Sequence, residues 1–180
     1  MNTRLRDFLD QEKVPYEREI HRTAYTAQEI AAEEHIPGKM MAKTVVVKAD
    51  GRFALAVLPA SFRLDLGKLK EDLAAKEIRL ATELEFGSLF PDCEVGAMPP
   101  FGNLYGVPLF CDESLTRDEE IVFNAGTHQE TVRMTYANFA RLAHPQVFDF
   151  ARRKNGHPDF TEEEHQFAVT RAGQVGETPG

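Results

Sequence analysis

The chain is short of positive charge. Its 21 Lys and Arg residues stand against 29 Asp and Glu, a formal net charge of −8. A protein that grips a long nucleic-acid duplex draws most of its affinity from neutralising phosphates and is normally basic. Extended duplex binding, and DNA with it, is therefore disfavoured, while a short single-stranded end held by a few local cations is allowed. Cysteine is also scarce: Cys93 and Cys111 lack metal-ligand spacing, and in a cytosolic chain they read most simply as reduced thiols. No apolar run reaches membrane-spanning length, and the longest is broken by Lys48 and Asp50. The opening Met-Asn-Thr-Arg-Leu-Arg-Asp has no apolar signal segment, which points to the cytoplasm.

Several catalytic signatures are missing as well. There is no Walker A or Gly-x-Gly-x-x-Gly stretch, so nucleotide hydrolysis and dinucleotide binding are not expected. Ser61, Ser88 and Ser114 are not set in a Gly-x-Ser-x-Gly nucleophile elbow. The six histidines (His21, His35, His128, His144, His157 and His165) form no His-Glu-x-x-His pair. The run His128-Gln129-Glu130 would put His and Glu on one strand face, a weak metal signal. The expectation is a protein without metal or cofactor.

What remains is a 180-residue chain, 42% hydrophobic and 28% charged, the profile of one globular domain with a substantial core. Its centre is Met40 to Leu58. Ala42-Lys43-Thr44-Val45-Val46-Val47 reads as a buried strand, Asp50-Gly51 is a two-residue hairpin turn, and Arg52 to Leu58 is the returning strand, closed by Pro59. Around it, Leu5, Phe8 and Leu9 give an amphipathic helix ending before Pro15, and Tyr16 to His21 alternates as a strand. Thr26-Ala27-Gln28-Glu29 is a capping box that opens a helix to about His35, stopped by Pro37-Gly38. Further helices are expected over Asp65 to Lys76, from Thr82, from Thr135 to about Leu142, and from Pro145 through Arg153. Ile78 to Leu80, Leu109 to Asp112, Glu120 to Phe123 and Thr131 to Met134 read as strands.

Hairpins among helices argue for an α+β fold, a mixed and largely antiparallel sheet or partial barrel with helices outside, and against a doubly wound parallel sheet. The domain is expected to span residues 1–153. Residues 154–180 read as a polar tail with a helical turn expected near Phe160 to Phe167.

Three stretches can carry chemistry. Lys43 begins an otherwise buried strand, so it either snorkels to water or is held as a fixed positive charge for a carbonyl, phosphate or carboxylate. The loop Gly96-Ala97-Met98-Pro99-Pro100-Phe101-Gly102 either offers backbone amides to an oxyanion or is a constrained connector. The turn Asn124-Ala125-Gly126-Thr127-His128 either sets Asn124 and backbone amides against a ligand or is simply a turn rich in the residues turns require.

In their order these motifs resemble the YbaK/prolyl-tRNA-editing family of aminoacyl-tRNA deacylases, related to the editing domain inserted in bacterial prolyl-tRNA synthetases. The likeness covers roughly Thr3 to Phe150 and rests on Lys43-Thr44, Gly96-Ala97-Met98-Pro99 and Asn124-Ala125-Gly126. It implies hydrolysis of the ester joining a wrong amino acid to the 3′ CCA end of a tRNA, with tRNA-Pro carrying Ala, Ser, Thr or Cys as the expected substrate. It also admits an aminoacyl-tRNA synthetase as a partner. Lys43, Gly96 and Pro99 match the family's catalytic positions. The resemblance further implies a substrate-facing set of His21, Tyr25, Thr26, Thr44, Met98, Asn124, Gly126, Thr127 and His128. Where some members carry an Asp, this chain has Thr131, with Glu130 beside it. The alternative reading is a non-catalytic module that binds a tRNA end, an amino-acid-like ligand or a synthetase.

Overall fold

A computed structural model of the chain describes residues 1–21, 26–33 and 40–153. Its spine is the central hairpin. Strands β2 (Ala42–Ala49) and β3 (Arg52–Pro59) pair antiparallel from Ala42↔Pro59 to Ala49↔Arg52, with Lys43 opposite Leu58. The turn needs two residues in the left-handed region, and Asp50 (φ 47°) and Gly51 (φ 79°) supply them. Asp50 also accepts hydrogen bonds from the amides of Lys76 and Glu77, both at 2.9 Å. That tie delivers the chain to β5 (Ile78–Leu80), which pairs with the outer edge of β2.

On the other side, β6 (Leu109–Asp112) runs parallel to β3, and β9 (Gln146–Phe148) runs parallel to β6. The sheet order is β5-β2-β3-β6-β9. A second, antiparallel sheet has the order β1-β8-β7, built from β1 (Glu17–Ile20), β7 (Glu120–Asn124) and β8 (Glu130–Thr135). A two-stranded ribbon pairs β4 (Phe62–Leu64) with β10 (Ala151–Arg153). The sheets are mixed, mostly antiparallel and not closed into a barrel, in keeping with the α+β expectation.

Helices cover both faces of the large sheet. Helix α1 (Thr3–Gln11) starts at Asn2, whose side chain accepts a hydrogen bond from the Leu5 amide at 3.1 Å, and it buries Leu5 and Leu9. Each leucine contributes about 1.5–3 kcal/mol by leaving water. Helix α2 is Ala27–Glu33, α3 is Leu66–Asp72 and α4 is Glu83–Phe86. Helix α5 (Tyr136–Ala143) is capped by Thr135 and ends at His144 in the left-handed conformation (φ 49°), just before Pro145. One face of the hairpin (Val46, Leu55, Val57) packs with Phe101, Phe123, Val132 and Phe139. The other (Val47, Ala54, Ala56, Leu58) packs on Leu69 of α3, Phe110 and Phe150. Strand β3 is thus buried on both sides, which is why it reads as a continuous apolar run and not as an alternation.

The structure overturns one expected element. Residues 145–153 form β9 and β10, not a helix. The cause is remote in sequence. The buried Asp112 carboxylate accepts the amides of Phe150 (2.9 Å) and Ala151 (2.7 Å), and the Gln146–Phe148 backbone joins the β6 edge. The ribbon strand β4 had no counterpart in the sequence reading. The expected helix stop at Pro37-Gly38 and the 154–180 tail lie outside the described residues.

Both cysteines are shielded. Burial pushes the Cys93 thiol up to about 11 and the Cys111 thiol up to about 12. At pH 8 alkylation of the native protein should therefore run at least about 100-fold slower than for an exposed thiol, because the thiolate is the reactive form. Stopped alkylation followed by mass spectrometry checks this. The linkage sign also follows: a thiol raised on folding adds stability below its ordinary value of 9.0, and that contribution is lost as pH rises toward 11.

Candidate active site

Two separate strands bring the first pair of candidates together. Met41 makes a parallel bridge to Val122, and the Val122 amide donates to the Met40 carbonyl at 3.0 Å. Two residues further along each chain, on the same face of each strand, stand Lys43 on β2 and Asn124 on β7. Beneath them Met41, Val122, Ala60 and Ala31 of α2 form a small apolar cluster. Lys43 is half-buried, and its backbone is fixed by the pairing with Leu58. Asn124 is 8% exposed and lies across the β7–β8 pair from Thr131, which is 1% exposed. The Asn124 Oδ1 atom is buried with no hydrogen-bond donor among the described residues. An acceptor stranded in this way costs about 1–3 kcal/mol.

The two glycine-bearing stretches meet each other. The Gly126 amide donates to the Ala97 carbonyl at 2.9 Å, and the Glu94 amide donates to the Gly126 carbonyl at 2.8 Å. The His128 amide reaches the Glu94 carboxylate at 2.8 Å, and the His128 Nε2 lies 2.7 Å from the Val95 carbonyl. Asn2 closes a third side, its amide donating to the Ala125 carbonyl at 2.8 Å. Gly96 (φ 84°) and Gly126 (φ 92°) both need the left-handed region, and a Cβ on Gly126 would come within 2.9 Å of the Asn2 Cβ. Gly126→Ala should accordingly cost about 1–3 kcal/mol, read from the urea midpoint, and should loosen the whole turn.

The remaining candidates are spread more widely. His21 follows β1, and its amide donates to the Gln129 carbonyl at 2.9 Å, so it reaches the same turn. Thr26 caps α2: its hydroxyl accepts from the Glu29 amide at 3.1 Å and its own amide donates to the Glu29 carboxylate at 3.2 Å. Thr44 is half-buried on the strand face opposite Lys43. Met98 and Pro99 are buried, Met98 in the main core, where its sulfur accepts from the Gly96 amide at 3.3 Å. The Thr127 hydroxyl lies 3.5 Å from the Glu130 carboxylate. Tyr25 is outside the described residues.

The weak metal signal at His128-Gln129-Glu130 does not survive. His128 sits in the turn, with β8 beginning only at Glu130. The Glu130 carboxylate is taken by the Arg18 guanidinium and the Met1 amino group. No group of three or more His, Cys, Asp or Glu side chains among the described residues is arranged to hold a metal ion.

Sequence reasoning missed the residues that brace the site. Asn2 donates from its side chain to the Tyr105 hydroxyl at 2.9 Å and to the Asp92 carboxylate at 3.2 Å. Its place before a helix could have marked it as a cap, but nothing local marks Glu94 as the acceptor for His128.

Comparison with known proteins places this geometry in context. The model of the aminoacyl-tRNA editing domain matches residues 21–142. The multifunctional Ser/Thr-tRNA deacylase ProXp-y of Escherichia coli (strain K12) is 34% identical over 116 residues, 62% of this chain and 69% of that protein. The proline–tRNA ligase of Nitratidesulfovibrio vulgaris is 33% identical over 116 residues, which cover 20% of the ligase. Among solved structures, a candidate trans-editing enzyme for prolyl-tRNA synthetase superposes with a TM-score of 0.72 at 24% identity, over 84% of this chain and 96% of the other. The hypothetical protein APE2540 superposes with a TM-score of 0.75 at 20% identity, over 83% and 99%. At those identities the structural likeness speaks for the fold alone. Among the described residues no helix is long and apolar enough to cross a membrane.

Proposed function

Because the chain belongs to the aminoacyl-tRNA editing domain family, we propose that it acts in trans as a deacylase, hydrolysing the ester that holds a wrong amino acid on a tRNA. Water adds to the ester carbonyl, the tetrahedral intermediate collapses, and the ribose oxygen leaves with a proton. An aminoacyl ester is already activated, so positioning the water and stabilising the oxyanion suffice without a strong nucleophile. Lys43 is the fixed cation of this reading, holding the carbonyl or the terminal phosphate. The paired loops at Gly96 and Gly126, tied by backbone hydrogen bonds, are the rigid wall of this reading. Only the single-stranded CCA end has to enter, so a net charge of −8 is tolerated.

The observation that carries this reading is the Met41–Val122 bridge, which sets Lys43 beside Asn124 on one face. The likeness to a Ser/Thr-tRNA deacylase supports serine or threonine as the amino acid removed. The cognate tRNA is tRNA-Pro in this proposal, with prolyl-tRNA synthetase supplying the mischarged substrate. The test is hydrolysis of Ala-, Ser-, Thr- and Cys-charged tRNA-Pro, beside the same amino acids on their cognate tRNAs. Turnover on one amino acid across several tRNAs would refute the tRNA-Pro assignment. Saturable binding without turnover on any of them would turn the protein into a binding module and refute the catalytic reading.

A further inference from the structure

We propose that the Asn124 side-chain oxygen accepts a hydrogen bond from the side-chain hydroxyl of the amino acid being removed, and that it thereby selects hydroxylated over plain aliphatic residues. The inference rests on the deacylase reading and adds to it the residue that reads the side chain.

The argument starts from the stranded acceptor. Asn124 is more than nine-tenths buried, and its Oδ1 has no donor among the described residues. Val122, two residues before it on the same face of β7, packs in the apolar cluster with Met41, Ala60 and Ala31, and Thr131 lies across the strand pair. In a buried site a hydrogen bond is strong when made and costly when missing. A donor that arrives with a ligand resolves the cost. The donor has to be short and uncharged to enter a buried site without a further desolvation cost, and the hydroxyl of serine or threonine meets both conditions.

Sites built to hydrogen-bond a hydroxyl reject the analogue that lacks it, because the buried partner is left unsatisfied. The experiment is therefore a ratio. The kcat/KM values for Ser- and Ala-charged forms of the same tRNA are measured for the wild type and for Asn124→Leu, which keeps the volume and removes the acceptor. The wild type should favour serine, and the Leu variant should lose about 10–100-fold of that preference. Its melting temperature should not fall, since an unsatisfied polar group has been replaced by an apolar one. If Asn124→Leu does not fold, Asn124→Ala carries the same ratio. An unchanged Ser-to-Ala ratio overturns the inference. So does equal loss on both substrates, which would make Asn124 a reader of the ribose or the ammonium that every substrate carries, or a purely structural residue. A wild type silent on all charged tRNAs refutes the deacylase reading, and this inference falls with it. An active wild type with an indifferent Asn124 removes this inference alone.

Discussion

Replacing Lys43 with alanine is expected to lower kcat/KM for deacylation by about 10²–10³-fold while leaving the fold intact. The magnitude is that of removing one preorganised group that stabilises charge developing on an oxyanion, about 2.7–4 kcal/mol of transition-state binding. The fold should survive because Lys43 is held through its backbone, in the ladder opposite Leu58, and alanine keeps that ladder. Half-buried, the side chain contributes some packing from its aliphatic stem, so a small fall in melting temperature is expected alongside the large fall in rate. Lys43→Arg separates charge from shape. A lysine ammonium is a compact point charge, whereas a guanidinium is a planar fork. If the role is to place charge at one point against the apolar floor of Met41 and Val122, arginine should recover only a minor part of the activity. Single-turnover hydrolysis of charged tRNA measures all three proteins. Near wild-type rates in Lys43→Ala would keep the family assignment and strip Lys43 of its role.

The parts of this fold that were legible in the sequence are those with local causes. Asp50-Gly51 is demanded by the two left-handed residues of the hairpin turn, and the Val-rich run before it has nowhere to go but a buried strand. Thr135 opens α5 for an equally local reason, its hydroxyl accepting the Asn138 amide. The parts that were not legible have causes elsewhere in the chain. Residues 146–153 are extended because Asp112 captures two amides there and because the β6 edge is open to them, and no periodicity in a three-residue strand announces either fact. The parallel pairing of β3 with β6 is likewise a long-range choice.

The candidate site divides along the same line. Lys43, Gly96, Asn124 and Gly126 stand out as residue types in unusual places, a cation in an apolar strand and glycines among constrained torsions. What the sequence could not convey is which of them meet. Lys43 is brought beside Asn124 by the Met41–Val122 bridge, and the Gly96 loop is joined to the Gly126 turn by backbone hydrogen bonds at Glu94 and Ala97 and by the contacts of His128 with Glu94 and Val95. Met98 shows the converse: it lies within a motif, yet its side chain is spent in the core. The order of the motifs carries the family resemblance, and the structure supplies their contacts.

Phe101→Ala should be the most damaging single core change near the site, costing about 3–5 kcal/mol. Phe101 is fully buried and meets three other rings edge-on: Phe8 at 5.9 Å, Phe123 at 5.6 Å and Phe139 at 5.6 Å between centroids. Those rings belong to α1, β7 and α5, so one side chain ties a helix from the start of the chain to a strand and a helix near its end. Edge-to-face pairs add about 0.5–1.5 kcal/mol each beyond area burial, and the cavity left by alanine cannot be refilled by three rings anchored on separate elements. Against a total stability of about 5–15 kcal/mol this is a large share. The melting temperature should fall by about 6–20 °C, at roughly 2–4 °C per kcal/mol for a chain of this size. The effect should also reach the chemistry. Phe101 lies within the Gly96–Gly102 loop, and Phe123 directly precedes Asn124, so the same packing sets the loop and the carboxamide. Phe101→Leu, which refills most of the cavity but restores no ring contacts, should recover part of the stability. Differential scanning calorimetry of the two variants, run beside deacylation below their melting points, tests both claims. If Phe101→Ala lost stability but kept full kcat/KM in its folded range, the packing around Phe101 would support the fold without positioning the site.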